Sequence, residues 1–97
     1  MFETLTYVAP DGLKLPLRCR RKDGDVWFHL RDIRGCLGVV KQSIIFEVSS
    51  VGTFNGETHV NMQGVKRLFK ACSEFELSQH FIRWFNETVL GEQDVAS

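Results

Sequence analysis

Ninety-seven residues allow one domain with a single core and leave no room for a second. A hydrophobic share of 43%, with 11% aromatic, supplies enough apolar surface to offset chain entropy and excludes intrinsic disorder; no apolar run approaches the roughly 18 residues of a membrane span. Twelve Lys and Arg balance twelve Asp and Glu, so no overall positive charge drives phosphate binding, and a nucleic-acid surface has to come from uneven placement.

The placement is uneven. Residues 14–41 hold eight basic side chains against three acidic, residues 61–73 hold three basic and no acidic, and residues 74–97 hold five acids against Arg83. The N-terminus has neither the basic nor the apolar region of a signal peptide, so the protein is expected to be soluble and to stay inside the cell that makes it. Cys19, Cys36 and Cys72 are an odd number with no close pair, which points to buried reduced thiols rather than disulfides or a zinc site. His29, His59 and His80 are scattered, and no metal or other cofactor is expected.

In chain order, Ala9 to Gly12 is a Pro-Asp-Gly turn between two strand-like segments, the second of which contains Pro16 and is expected either to lie at an edge or to enter its pairing after that residue. Asp23-Gly24 is the favoured dipeptide of a two-residue type I′ hairpin. That turn places Lys22 opposite Asp25, Arg20 opposite Trp27 and Arg18 opposite His29, with Leu17, Cys19, Val26, Phe28 and Leu30 on the core face and Arg21 at its frayed end. The other face carries Arg18 and Arg20 beside an aromatic ring and an imidazole. An Arg over Trp27 that merely covers apolar area is the more ordinary account of it; a strand face that tracks a phosphate backbone is the functional one.

Asp32 is read as the N-cap of a short helix whose Ile33, Cys36 and Leu37 form one apolar side and whose end is set by Gly38 in a left-handed conformation. A second helix is expected over Lys41 to Val48 with Ile44, Ile45 and Val48 inward, followed by a loop, an Asn55-Gly56 turn and a short strand from Thr58 to Met62. From Gln63 the period is helical, with Val65, Leu68, Phe69 and Cys72 as the apolar stripe and Lys66, Arg67 and Lys70 together on the opposite side. Those three like charges repel, and they suit either an ordinary solvated face or a phosphate-contacting one. Ser73 and Glu76 have the spacing of a capping box opening a last helix, with Leu77, Phe81, Trp84, Phe85 and Val89 apolar and Gly91 at its end. The expectation is one α+β domain over residues 1–91, a small antiparallel sheet built around the hairpin of residues 13–30 and covered by three or four helices, with residues 92–97 a frayed tail.

Three stretches resemble the Bro N-terminal domain, a family of baculovirus repeated open reading frame proteins, other large DNA viruses of insects and phage antirepressors. "VWFHLRDIRGCLGV" is similar to the family's strand running into an Asp-started helix that ends Leu-Gly, through Trp27, Phe28, Asp32, Leu37 and Gly38. "VNMQGVKRLF" resembles its short strand and following helix through Asn61, Gly64, Arg67 and Leu68, and "SEFELSQHFIRWFNETVLG" its closing helix through Ser73, Phe81, Arg83, Trp84, Val89 and Leu90. The stretch from Gly64 to Ser73 is one residue longer than the family's, and Gly91 stands where a Pro commonly follows Val-Leu. Most members continue into a second domain, so this chain is expected to be a free-standing module.

The resemblance implies a viral DNA-binding regulator of viral or host transcription, located in the host nucleus or cytoplasm if the virus is eukaryotic. Combined with the charge clusters, it assigns backbone contacts, to DNA rather than RNA, to Arg18, Arg20, Arg31, Arg34, Lys66, Arg67 and Lys70. The alternative is a protein-interaction or antirepressor-like module that self-associates as a homo-oligomer or occupies a host or viral protein, since a basic and an acidic segment on one neutral chain favour contact between molecules. An enzyme is not expected: Asp11, Asp23 and Asp25 sit in turns, where acids serve turn geometry, and no Ser-His-Asp set, activated Cys or phosphate-cradling Gly loop is present.

Overall fold

A computed structural model describes residues 2–72 and 74–90. In chain order these form β1 (Phe2–Val8), β2 (Lys14–Lys22), β3 (Asp25–His29), α1 (Leu30–Leu37), β4 (Val51–Phe54), β5 (Glu57–Val60), α2 (Met62–Phe69) and α3 (Phe75–Trp84). A 3₁₀ turn, Val48–Ser50, leads into β4, and a π-helical stretch, Phe85–Leu90, continues α3. The strands make one antiparallel sheet in the order β1-β2-β3-β5-β4, with the helices packed on one face, so the expected α+β class holds.

Turn chemistry sets the sheet's register. Asp23 and Gly24 both have positive φ, 54° and 82°, and place Lys22 opposite Asp25 and Arg20 opposite Trp27. In the first turn the Ala9 N–H donates to the Leu13 carbonyl at 2.9 Å, and Asp11 accepts from the Leu13 N–H at 3.0 Å. Pro16 lies opposite Thr6 of β1, while β2 pairs with β3 only over Cys19 to Lys22. The proline therefore occupies the half of β2 that has a partner strand on one side only, where a missing N–H costs no ladder bond.

Leu17, Cys19, Val26, Phe28 and Val60 alternate toward the helices and meet Ile33, Cys36 and Leu37 of α1, Val65 and Leu68 of α2, and Phe81, Phe85 and Val89. Phe81 is fully buried with its ring 5.3 Å from Tyr7, 5.5 Å from Trp84, 5.9 Å from Phe28 and 6.2 Å from Phe69, centroid to centroid. Burial pushes the Cys19 and Cys36 thiols up to about 12, which keeps both protonated within the core. Gly38 ends α1 at φ 70°, as its position predicts.

Four expectations are corrected. Asp32 does not cap α1, which starts two residues earlier with His29 in the cap position and no side-chain cap bond. No helix covers residues 41–48. There Ile44 and Phe46 are half-buried against the core while Ile45, 85% exposed, and Glu47 face out, an alternation rather than a helical stripe, and Val48, 92% exposed, already belongs to the 3₁₀ turn. The β-branched pair Ile44-Ile45 gives a helix little propensity, and the segment must reach from the end of α1 to the far edge of the sheet. Residues 51–54, expected to be loop, form the edge strand β4, closed onto β5 by Asn55 and Gly56 at φ 52° and 76° with Phe54 opposite Glu57. Finally, β5 ends at Val60, because Asn61 leaves the ladder to cap α2, its Oδ1 accepting from the Gly64 N–H at 3.2 Å. Of the proposed Ser73–Glu76 capping box, Ser73 lies outside the described residues, as do the Gly91 stop and the 92–97 tail.

Candidate nucleic-acid interface

The seven proposed contact residues fall into three groups. Arg18 and Arg20 lie on the open face of the sheet, Arg31 and Arg34 on α1, and Lys66 and Arg67 on α2 with Lys70 at its C-terminal cap.

Arg18 is engaged within the molecule. Its Nε and Nη2 donate to the two oxygens of Asp32 at 2.8 and 3.0 Å, and its backbone N–H donates to the same carboxylate at 3.0 Å. The reason is local. Residues Arg20 and Lys22 bond toward β3, but β3 ends at His29, so the next N–H on that side, that of Arg18, has no strand carbonyl and takes Asp32 instead. The Arg18 guanidinium holds the Asp32 carboxyl below the usual carboxylate range, and the Asp32 contact raises Arg18 in turn. Glu57 stands 3.9 Å from Arg18 Nη1.

Arg20 is half-buried and sandwiched between two rings, its guanidinium carbon 4.7 Å from the Phe2 centroid and 4.9 Å from that of Phe54. The expected stack on Trp27 is thereby replaced: Phe2 is the β1 partner of Arg20, while Trp27 turns toward β4 and meets Phe54 edge-on at 5.6 Å. Gly52 lies against this pair, since a Cβ there would lie 3.1 Å from the Phe54 ring and 3.3 Å from the Trp27 ring. Lys22 completes the strip with its Nζ 5.6 Å from the Phe54 centroid.

Beside this strip, His29 is 6% exposed and His59 2% exposed although both lie on the sheet's open face, with their rings 5.3 Å apart. Neither nitrogen of His29 has a hydrogen-bond partner among the described residues; Nε2 is 3.3 Å from Glu57 and Nδ1 3.9 Å from Asp32, contacts that become ion pairs only when the ring is protonated. Arg34 donates to the Gln42 carbonyl, tying α1 to the connection that follows it. Arg31 is exposed, and among the described residues no carboxylate lies within 4.0 Å of it.

Lys66, Arg67 and Lys70 are exposed side by side on α2, likewise with no carboxylate within 4.0 Å among the described residues. They line a cleft of about 520 Å³ with Ile45, Glu47 and Gln63. Glu47, the acid at this surface, accepts from Gln63 Nε2 at 2.8 Å.

The basic residues therefore do not converge on one surface: Lys66, Arg67 and Lys70 line one cleft, and Arg18 of the sheet face lines another. Sequence reasoning missed Phe2, Phe54, Glu57 and His59 as constituents of the sheet face. The signal for two of them was Asn55-Gly56, since a type I′ turn there implies a second hairpin with Phe54 opposite Glu57. Among the described residues no group of three or more His, Cys, Asp and Glu is arranged to hold a metal ion, and no helix is long and apolar enough to cross a membrane. Comparison with protein-family models, with curated proteins and with solved structures finds no match to this chain.

Proposed function

We propose that this chain is a small DNA-binding regulatory module, of the kind that the resemblance to the Bro N-terminal domain implies, which holds the phosphate backbone and influences viral or host transcription. The observation that carries this reading is the row of Lys66, Arg67 and Lys70 on the exposed side of α2, with no carboxylate within 4.0 Å among the described residues. Three like charges on one helix face destabilise it, and a polyanion is the partner that offsets the repulsion. Arg31 adds an exposed charge, whereas Arg18 is neutralised by Asp32 and drops out as a phosphate contact. No residue set is assigned to base edges, so affinity rests on counterion release and carries little sequence preference.

Duplex mobility shifts over a salt series test the reading. Binding is expected at low salt, and replacing Lys66, Arg67 and Lys70 together by Ala weakens it and flattens the slope of log K against log salt by roughly 3. Absence of binding at micromolar protein in low salt, or identical binding by the triple variant, overturns it.

A second reading, a homo-oligomer or a module that occupies a protein partner, is favoured by Val40, Ile45 and Val48, which are 60%, 85% and 92% exposed along one connection. Light scattering across salt concentrations tests it. A strict monomer that retains no protein partner in a pull-down removes it.

A further inference from the structure

We propose that the cleft between the start of α1 and the β4–β5 turn is a site for one phosphoryl group carried as a monoester or as free phosphate; this deepens the nucleic-acid reading and rests on it only for the ligand's source. The cleft encloses about 470 Å³, and its walls include His29, Arg31, Arg34, Val40, Glu57 and Thr58.

Three features of this cleft suit an anion. The first is the positive end of an eight-residue helix that no side chain caps: His29 makes no cap bond, and Asp32, in the first turn, has turned its carboxylate to Arg18. The second is independent of the helix. His29 is 6% exposed in the cleft wall, and neither ring nitrogen is hydrogen-bonded among the described residues even though Glu57 Oε2 stands 3.3 Å from Nε2; a phosphoryl oxygen that displaces this carboxylate supplies the hydrogen bond the buried imidazole does not make. The third is the pair of arginines, whose planar forks match phosphoryl geometry. Arg31 has no carboxylate within 4.0 Å among the described residues, and Arg34 is braced by the Gln42 carbonyl.

Two carboxylates oppose an anion here: Asp32, 3.9 Å from His29 Nδ1 but held by Arg18, and Glu57. The Glu57 Oε2 lies 3.3 Å from His29 Nε2 and 3.9 Å from Arg18 Nη1, while its side chain is 52% exposed. The carboxylate thus occupies the acceptor position that the phosphoryl group takes, and competes with it.

Inorganic phosphate, titrated into the full chain at constant ionic strength with chloride as the balancing anion, tests the site through the amide resonances of Leu30 to Asp32 and the ring resonances of His29. Saturable shifts with millimolar affinity are expected, tightened about tenfold by Glu57→Gln and weakened about tenfold by Arg31→Ala. Shifts that stay linear, that chloride alone reproduces, or that neither variant alters overturn the proposal. Single strands with and without a terminal phosphate separate the sources: preference for the phosphorylated strand that Arg31→Ala abolishes supports a nucleic-acid end, and equal binding of both strands alongside saturable phosphate shifts supports a small free phosphate. Loss of duplex binding with the phosphate shifts intact sinks the preceding reading and keeps the site, while the reverse sinks the site alone.

Discussion

Asp32 sits where three levels of structure meet, since one carboxylate serves a strand N–H, a guanidinium and the first turn of α1. Its folded pKa is shifted down by the hydrogen bond from Arg18, so its ionised form is favoured by folding. The stability it contributes is therefore present above the unfolded value of about 3.9 and is lost as pH falls through the lower folded value. Asp32→Asn is expected to cost about 1–2 kcal/mol at neutral pH, toward the lower range for a charged hydrogen bond because Arg18 is partly exposed. Urea unfolding of variant and parent at neutral pH and below about pH 4 checks this, the gap narrowing in acid; a gap that does not change with pH removes the assignment. Sequence spacing marked Asp32 as a helix-start residue, but its partner, fourteen positions earlier, is visible only once β2 lies beside α1.

The glycines of α1 and α2 separate propensity from packing within single elements. Gly35 faces open space, with nothing within 4 Å of where its Cβ would sit, so Gly35→Ala is expected to stabilise the protein by about 0.5–1 kcal/mol through helix propensity alone. At Gly64 an added Cβ would lie 2.7 Å from the Val60 Cβ and 3.2 Å from the Ser50 carbonyl oxygen. There Gly64→Ala gains the same propensity but is expected to lose about 1–3 kcal/mol to overpacking, because α2 rests directly on β5. Thermal melts of the two variants should move in opposite directions, and a shift of the same sign would overturn the packing account. Both glycines lie in helical patterns that read alike in the sequence, and only the approach of a neighbouring strand distinguishes them.

Across the whole molecule the core is a single cluster with Phe81 at its centre, touching rings from β1, β3, α2 and its own helix. Phe81→Ala is expected to cost about 3–5 kcal/mol, a large part of the 5–15 kcal/mol typical of a whole domain. Denaturant midpoint and heat-capacity change measured together check it, since a loss under 1 kcal/mol would place the hub elsewhere. Charge is likewise a property of the whole molecule. The chain is neutral in sum, yet Arg18 meets Asp32 and Glu57 and Arg21 meets Glu3, which leaves Arg31 and the row of Lys66, Arg67 and Lys70 among the cations with no carboxylate within 4.0 Å among the described residues.

What the sequence determined by itself was local: the Asp23-Gly24 hairpin and its register, the Gly38 stop, the inward stripes of α2 and α3, and the α+β class that follows from them. These depend on backbone sterics and on periodicity, which act over a few residues. The tertiary structure decided which charges survive unpaired, the non-helical course of residues 41–47, the edge strand β4 and the cleft at the head of α1. Each of those depends on contacts between segments far apart in the chain, where an acid fourteen or more residues away neutralises an arginine and sheet pairing outweighs the weak local preference of four residues.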